Sequence, residues 1–172
     1  WSSGDNLERF WFDTLFYQNQ KSSKFLELQL EQIEFLEISK TNVLEDSQTT
    51  TQIVQLLTDA HYQTSPDDIQ RLYDAPELMC FVLKQNDKIL AVAQVAREGG
   101  ELLIPISKEV CACNRRVKGH LVAQNIGATY NSKTFVESEQ WRISRIAVAN
   151  EYQRKHLGTV LINHLIAQTK KQ

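Results

Sequence analysis

The chain has 172 residues, a formal net charge of −2 and an apolar content of 42%. That length is enough for one domain with its own core, and the low content of glycine and proline argues against a disordered chain. A charge near zero excludes a domain that attracts nucleic acid through its overall field, so any contact with RNA must come from a local cluster of cations. No apolar run approaches the roughly 20 residues of a membrane span.

The cysteines of the chain are Cys80, Cys111 and Cys113. An odd number without a recognisable framework is typical of a reducing compartment, so we predict a cytoplasmic protein. The pair at 111 and 113 lacks the two-residue spacer and the second ligand pair of a zinc site, and we expect no metal. We interpret all three as small apolar residues of the core.

The first part of the chain contains patterns of both helical and strand periodicity. Residues 6–16 have apolar side chains at near-helical spacing and indicate a short helix. Alternating apolar and polar residues favour extended structure at 24–30 and again at 33–38, and the polar stretch 40–50 indicates a linker. Residues 51–62 predict an amphipathic helix. Its expected buried face consists of Ile53, Val54, Leu57 and Ala60.

A second helix and a hairpin follow. Ser65 is a good helix cap, Pro66 suits the first helical position, and Pro76 ends the predicted helix. Residues 78–96 contain two apolar runs around a polar turn, which is typical of an antiparallel hairpin. Residues 101–115 indicate a loop with a short helix.

The last part of the chain predicts a helix, a strand and a helix. Gly119 precedes a helical pattern that reaches residue 130, and 141–149 predicts a buried strand. Apolar residues at 157, 160, 161, 165 and 166 predict a final amphipathic helix. The order of elements therefore predicts an α/β fold of the α+β type, with helices that flank a mixed, mostly antiparallel sheet.

The stretch "RIAVANEYQRKHLG" at 145–158 predicts an anion site. A strand that enters a helix through a short turn points backbone N–H groups outward, and the helix N-terminus adds about half a positive charge. Gln153, Arg154 and Lys155 add donors and cations, and Gly158 permits a close backbone approach. An ordinary capped surface turn is the alternative.

The loop Gln-Arg-Lys-His-Leu-Gly at 153–158 resembles the acetyl-CoA pyrophosphate loop of the GNAT N-acetyltransferase superfamily, whose usual form is [Gln/Arg]-x-x-Gly-x-[Gly/Ala]. Two further blocks, "HYQTSPDDIQRLYDAP" at 61–76 and "RRVKGHLVAQNIGA" at 115–128, are similar to segments of the tRNA(Met) cytidine acetyltransferases of bacteria. The three blocks occur in that family's order, and the resemblance covers 50–172 well and 1–49 loosely.

The resemblance implies a GNAT acyl-CoA N-acyltransferase fold with an N-terminal extension and first-strand region at 1–48 and the core at 49–172. It implies transfer of acetyl from acetyl-CoA to the exocyclic amine of a cytidine in tRNA, at the wobble position of elongator tRNA(Met). A GNAT enzyme for a protein or small-molecule amine is one alternative. A truncated, non-catalytic GNAT module that docks RNA is the other.

Carried over by position, the resemblance assigns two sets of cofactor-binding residues. The strand that lines acetyl-CoA comprises Ile146, Ala147 and Val148, and the loop around the pyrophosphate comprises Gln153, Arg154, Lys155, His156, Leu157, Gly158 and Thr159. His156 departs from the family's glycine. Because glycine alone adopts positive φ freely, we expect the histidine to weaken cofactor binding by about 1–2 kcal/mol.

The resemblance also places candidate catalytic and RNA-binding residues. His61 is the candidate general base, since an imidazole titrates near neutral pH, and Tyr62 the candidate acid for the departing thiolate. Alternatively, His61 caps its own helix and Tyr62 is a core aromatic residue. A cluster of cations is the candidate contact with RNA phosphates, or else a solvated face; it comprises Arg115, Arg116, Lys118 and His120.

Both ends of the chain suggest a piece of a longer protein, since it begins with Trp1 and ends within a helical pattern. We expect the fold to be incomplete at the C-terminus, because in GNAT proteins further strands follow the last helix. The resemblance implies a helicase-like module of the full-length protein as a partner. ATP is expected only through that module.

Overall fold

A computed structural model of the chain describes residues 27–38, 46–60 and 74–170. The strands of these ranges form one antiparallel sheet in the order β1-β2-β3-β4. They are β1 (Glu34–Ile38), β2 (Leu78–Gln85), β3 (Lys88–Gly99) and β4 (Glu139–Val148). The α/β architecture predicted from the order of elements is confirmed.

The described helices lie on both faces of this sheet and at one end of it. They are α1 (Ser47–Ala60), α2 (Ser107–Cys111), α3 (Leu121–Tyr130), α4 (Lys133–Glu137) and α5 (Leu157–Thr169). Short 3-10 helices occur at Leu30–Gln32, Glu101–Ile106 and Asn150–Tyr152. No helix in the described ranges combines the length and the apolar character that crossing a bilayer requires.

The core has one layer on each face of β2 and β3. On one face Ile53 and Leu57 of α1 pack against Val82 and Val92, and on the other Leu161 of α5 belongs to a larger cluster around Phe81. Because both faces are covered, β2 and β3 are almost continuously apolar rather than alternating. Residues 101–138 enclose a small third cluster of their own.

The predicted hairpin, the strand at 141–149 and the final helix are all confirmed. The burial predicted for that strand is wrong, because only Ala147 within β4 is buried and Ile143 is exposed. The linker predicted at 40–50 is wrong for its last residues, because α1 already begins at Ser47. Asp46 sets this start: its carboxylate accepts the N–H groups of Gln48 at 3.1 Å and Thr49 at 3.0 Å. Ala60, the last residue of α1, is exposed rather than buried.

Extended structure is confirmed at 33–38 and at Gln29, but no strand forms at 27–30, and a 3-10 helix begins at Leu30 within the first predicted stretch. The side chain of the buried Gln85 replaces a strand partner there. It accepts the N–H of Gln29 at 3.1 Å and donates to the carbonyl of Glu27 at 3.0 Å. One amide side chain, rather than a neighbouring strand, therefore supplies these hydrogen bonds to the backbone of the stretch that was predicted to be extended.

The cysteines only partly follow the prediction. Cys80 and Cys111 are buried, whereas Cys113 is exposed and has a φ of +60°, so its interpretation as a core residue is wrong. Burial raises the pKa of the Cys80 thiol to about 12, which keeps it protonated and unreactive.

Candidate cofactor and nucleic-acid sites

The outer edge of β4 pairs with no other described strand. On the side that faces β3, the N–H of Ala149 donates to the carbonyl of Leu90 at 2.9 Å, and two residues earlier Ala147 lies opposite Val92. Since bonded and non-bonded pairs alternate in an antiparallel ladder, the backbone groups of Ile146 and Val148 point to the open edge. This edge can accept an extended ligand that has amides of its own.

A bulge bends β4 near its middle. The pairing passes from Arg145 opposite Gln94 to Ile143 opposite Val95, so Ser144 is the extra residue. Its hydroxyl donates to the carbonyl of Gln94 at 3.1 Å. Bulges redirect a strand and are common beside active sites. The sequence "RISRIAV" does contain a trace of this feature, because Ile143 and Ile146 are three residues apart and the alternation of apolar and polar residues breaks between them.

The loop that follows β4 has an unusual backbone. Tyr152 is fully buried, and Gln153 donates from its amide to Asn150 Oδ1 at 2.8 Å and to the carbonyl of Val148 at 3.5 Å. Arg154 and His156 have φ values of +61° and +62°. The left-handed backbone expected at His156 is thus present, and Arg154 adds a second left-handed residue.

His156 leads directly into α5, and its backbone favours a concave arrangement of the N–H groups that follow. Its left-handed backbone (φ 62°, ψ 12°) precedes the right-handed helix, an alternation that turns successive N–H groups toward one point. The His156 side chain makes no capping hydrogen bond, so the first N–H groups of α5 are left to other acceptors. Gly158 lies in this turn, and even a Cβ there would meet Val148 only at an ordinary 3.8 Å.

Lys88, at the start of β3, supports the loop from the hairpin side. Its Nζ lies 2.7 Å from Glu151 Oε1 and 4.9 Å from the centroid of the Tyr152 ring. Lys155 Nζ lies 5.4 Å from the same centroid. Burial by itself lowers the pKa of Lys88, but its hydrogen bonds with Glu151 and Tyr152 outweigh that effect, and the net pKa is raised.

The predicted RNA-binding cluster lies at the opposite end of β4. Gly99 at the end of β3 pairs with Glu139, whereas Ala91 pairs with Val148 beside the anion loop. β4 has ten residues. At about 3.4 Å per residue the two regions are roughly 30 Å apart. Within the cluster Arg116 and Lys118 are exposed, and a guanidinium nitrogen of Arg115 lies 3.4 Å from Glu109 Oε2. His120 Nδ1 accepts the N–H of Gly99 at 2.9 Å.

A groove that the sequence did not indicate lies between β4 and α5. Its cavity of about 550 Å³ is lined mainly by apolar side chains, among them Trp141, Ile143, Ile162 and Ile166. Ile166, predicted to be buried, is 48% exposed here. None of the candidate cofactor or RNA residues lines this groove. His61 and Tyr62 lie outside the described residues, as does most of the block at 61–76.

Comparison with known proteins gives a family and a set of relatives. Residues 52–172 match the family described as GNAT acetyltransferase 2. A protein of Vibrio cholerae named tRNA(Met) cytidine acetyltransferase is 32% identical over 98% of this chain, and one of Nitrosococcus halophilus with the same name is 30% identical over 98%. The chain spans only 24% and 23% of their lengths.

Solved structures agree with the fold. An aminoglycoside acetyltransferase from an uncultured soil sample has a TM-score of 0.50 and 12% identity, over 83% of this chain and 72% of its own. A GNAT family acetyltransferase of Staphylococcus aureus has a TM-score of 0.50 and 13% identity, over 81% and 79%. At such low identity the likeness concerns the fold alone.

Proposed function

We propose that this chain, which belongs to the GNAT acetyltransferase 2 family, transfers an acetyl group from acetyl-CoA to the exocyclic amine of a cytidine in tRNA. The observation that carries the proposal is the likeness, over 98% of the chain, to proteins named tRNA(Met) cytidine acetyltransferase. The outer edge of β4, which leads through the left-handed His156 into the N-terminus of α5, supports acetyl-CoA as the donor.

The described residues fit acetyl-CoA in two places. Ile146 and Val148 offer outward backbone groups that suit the amides of the pantetheine arm, while Ala147 holds the strand to β3. The pyrophosphate suits the concavity before α5, where the backbone N–H groups of Leu157, Gly158 and Thr159 lie. The exposed side chains of Gln153, Arg154, Lys155 and His156 surround that position.

Catalysis in this proposal depends on orientation and on charge stabilisation. The amine of cytidine is a weak nucleophile because its lone pair is delocalised into the ring, so precise placement must supply much of the rate. The bend at Ser144 is where an acetyl carbonyl on β4 would meet the acceptor, and a backbone N–H there would stabilise the developing oxyanion. His61 as base and Tyr62 as acid complete the proposal.

Further parts of the proposal concern the acceptor and the longer protein. The basic loop with Arg115, Arg116 and Lys118 would contact tRNA phosphates, at the end of β4 away from the cofactor phosphates. Residues 1–48 would form an extension with the first strand region, and 49–172 the core. A helicase-like module would accompany the domain in a cytoplasmic protein, and ATP would act only there.

The test is incubation of the chain with tRNA and acetyl-CoA that carries an isotopically labelled acetyl group. Mass spectrometry of the digested tRNA should find the label on cytidine, and a lysine peptide in a parallel reaction should stay unlabelled. Label on the peptide alone would favour a GNAT enzyme for protein amines. Binding of tRNA without binding of acetyl-CoA would favour a non-catalytic module.

A further inference from the structure

The loop that carries the exposed cations is tied to the end of β3 by a histidine. His120 is partly buried, and its Nδ1 accepts the N–H of Gly99 at 2.9 Å. Gly99 is held in the sheet, because it pairs with Glu139 and the next residue donates its N–H to the carbonyl of Ser138 at 3.0 Å; with a φ of +71° and no room for a Cβ, only glycine fits there. The imidazole therefore joins the loop to a rigid point of the sheet.

The side chain of Gln124 also fastens this loop. Gln124 accepts the N–H of Val117 at 2.7 Å and donates to the carbonyls of Val117 and, at 2.8 Å, His120. The amide of Gln124, in the first turn of α3, thus joins the loop at Val117 to the residue that precedes the helix, His120.

Glu98, which is almost fully buried at the end of β3, holds the start of α3. Its Oε2 accepts the N–H groups of Val122 at 2.6 Å and Ala123 at 3.1 Å, and its Oε1 pairs with Arg142 of β4. The carboxylate thereby occupies the positive end of α3 and leaves no room for a phosphate at those N–H groups.

Between these anchors Arg116 and Lys118 project into solvent, followed by Gly119 with a φ of +94°. A loop without regular structure normally loses conformational freedom when it binds, which lowers its affinity. Here the freedom is already lost in the free protein, because Val117, His120 and Val122 are all hydrogen-bonded to side chains.

We propose that His120 is a positioning residue, which fixes the basic loop so that Arg116 and Lys118 meet RNA phosphates in a preformed arrangement, and that it does not itself contact RNA. The proposal rests on the proposed function in one respect, that this loop faces RNA. It assigns different tasks to residues that are neighbours in the sequence: two cations for contact and one imidazole for anchoring.

The chain offers a matched pair of variants. His120→Ala removes the acceptor for Gly99. In His120→Asn the amide Oδ1 can take the place of Nδ1 and accept the same N–H. A thermal melt of each variant verifies that it folds. If the alanine variant does not fold, the asparagine variant still decides between the roles, because it keeps the acceptor and loses the ring.

The first measurement is the affinity of the full chain for tRNA as a function of salt. His120→Ala should weaken binding about tenfold without changing the slope of log K against log salt, and His120→Asn should restore the affinity. Arg116→Ala and Lys118→Ala should each reduce the slope by about 0.9, as loss of a phosphate contact requires. A reduced slope in His120→Ala that asparagine does not restore would show a direct contact and overturn the proposal.

The second measurement needs no RNA. Hydrogen exchange in the free protein should accelerate at the Gly99 amide and across 117–123 in His120→Ala, and stay slow in His120→Asn. Unchanged protection in His120→Ala would overturn the anchoring role. A different result is possible, in which exchange changes as expected but Arg116→Ala and Lys118→Ala leave the tRNA affinity unchanged. That result would keep the anchoring role of His120 and overturn the proposal that this loop contacts RNA.

Discussion

Arg154 and His156, which flank Lys155, both have a left-handed backbone that glycine would adopt without strain. For residues with a Cβ this conformation costs about 1–2 kcal/mol each. The surrounding fold must hold the loop in place, and buried Tyr152 and Leu157 do so on both sides. The strain belongs to the candidate phosphate site itself.

We expect His156→Gly to let a phosphate approach this backbone more closely and to tighten acetyl-CoA binding by about 1 kcal/mol, or roughly fivefold. Relief of the strain should instead raise the stability of the chain, because the free protein already has the left-handed backbone. Isothermal calorimetry measures the change in affinity directly. Arg154→Gly is the matched control, because it relieves the same strain but keeps the His156 side chain and loses a cation, so it should not tighten binding. Affinity that is unchanged or weaker in His156→Gly would contradict the assignment of the loop.

Asp46 gives a pH-dependent contribution to the stability of α1. Hydrogen bonds from the side chain and then the backbone of Thr49 lower the pKa of its carboxyl below the usual 3.8. The stabilisation is therefore complete above pH 3.8 and is lost as the pH falls through the lower pKa of the folded state. Asp46→Ala should cost about 1 kcal/mol at pH 7 in urea unfolding.

Asp46→Asn is the control for this effect, because an amide oxygen still caps the helix but does not titrate in this range. Its free energy of unfolding at pH 7 should lie close to that of the parent chain. A loss in Asp46→Asn as large as in Asp46→Ala would show that charge, and not the cap geometry, stabilises the helix start.

At the scale of the elements, periodicity predicted β2, β3, β4 and α5, because each has a long apolar face or run. The start of α1 was missed because its first turn, Ser47–Thr50, consists of polar residues that resemble a linker. The bulge at Ser144 was missed although the three-residue spacing of Ile143 and Ile146 breaks the alternation there. The side-chain partner of Gln29 was beyond reach, since it depends on Gln85, which is distant in the sequence.

The insert between β3 and β4 depends on a close contact of two helices. A Cβ at Gly127 of α3 would collide with the Cγ2 of Val136 of α4, which is fully buried. Gly127→Ala should therefore destabilise the chain by about 1–3 kcal/mol in denaturant unfolding.

Gly158→Ala is the matched control for that substitution, since its Cβ would meet Val148 only at 3.8 Å. It should be neutral or slightly stabilising in the first turn of α5. In the double variant Gly127→Ala, Val136→Ala, the loss in free energy of unfolding should be smaller than the sum of the losses in the two single variants. A loss equal to that sum would argue against a steric cause.

The contact between the hairpin and the anion loop makes a separate prediction. Lys88→Met removes the charge that pairs with Glu151 and lies over Tyr152, and should weaken acetyl-CoA binding about threefold, since such partly exposed pairs contribute about 0.5–1 kcal/mol. Lys88→Arg keeps the charge and should bind nearly as the parent does. Equal affinity of all three proteins in calorimetry would show that the hairpin does not support the loop.

At the scale of the whole molecule, the sequence located both cationic regions because each is contiguous in the chain. It did not show that they lie at opposite ends of one strand, with a bend between them and an apolar groove alongside. Those relations arise from the pairing of β3 with β4 and from the packing of α5, which no local pattern records. In the proposed reaction, this arrangement would let cofactor and acceptor approach the bend from different ends.

The outward backbone groups of Ile146 and Val148 also have a consequence for how the chain behaves in solution. No strand of the described ranges pairs with this edge, and exposed Ile143, Ile162 and Ile166 lie near it. Such an edge is a template for another strand. The chain should therefore self-associate reversibly as its concentration rises, which sedimentation velocity detects. Acetyl-CoA should shift it toward monomer, because a molecule that covers the edge acts as a cap against aggregation.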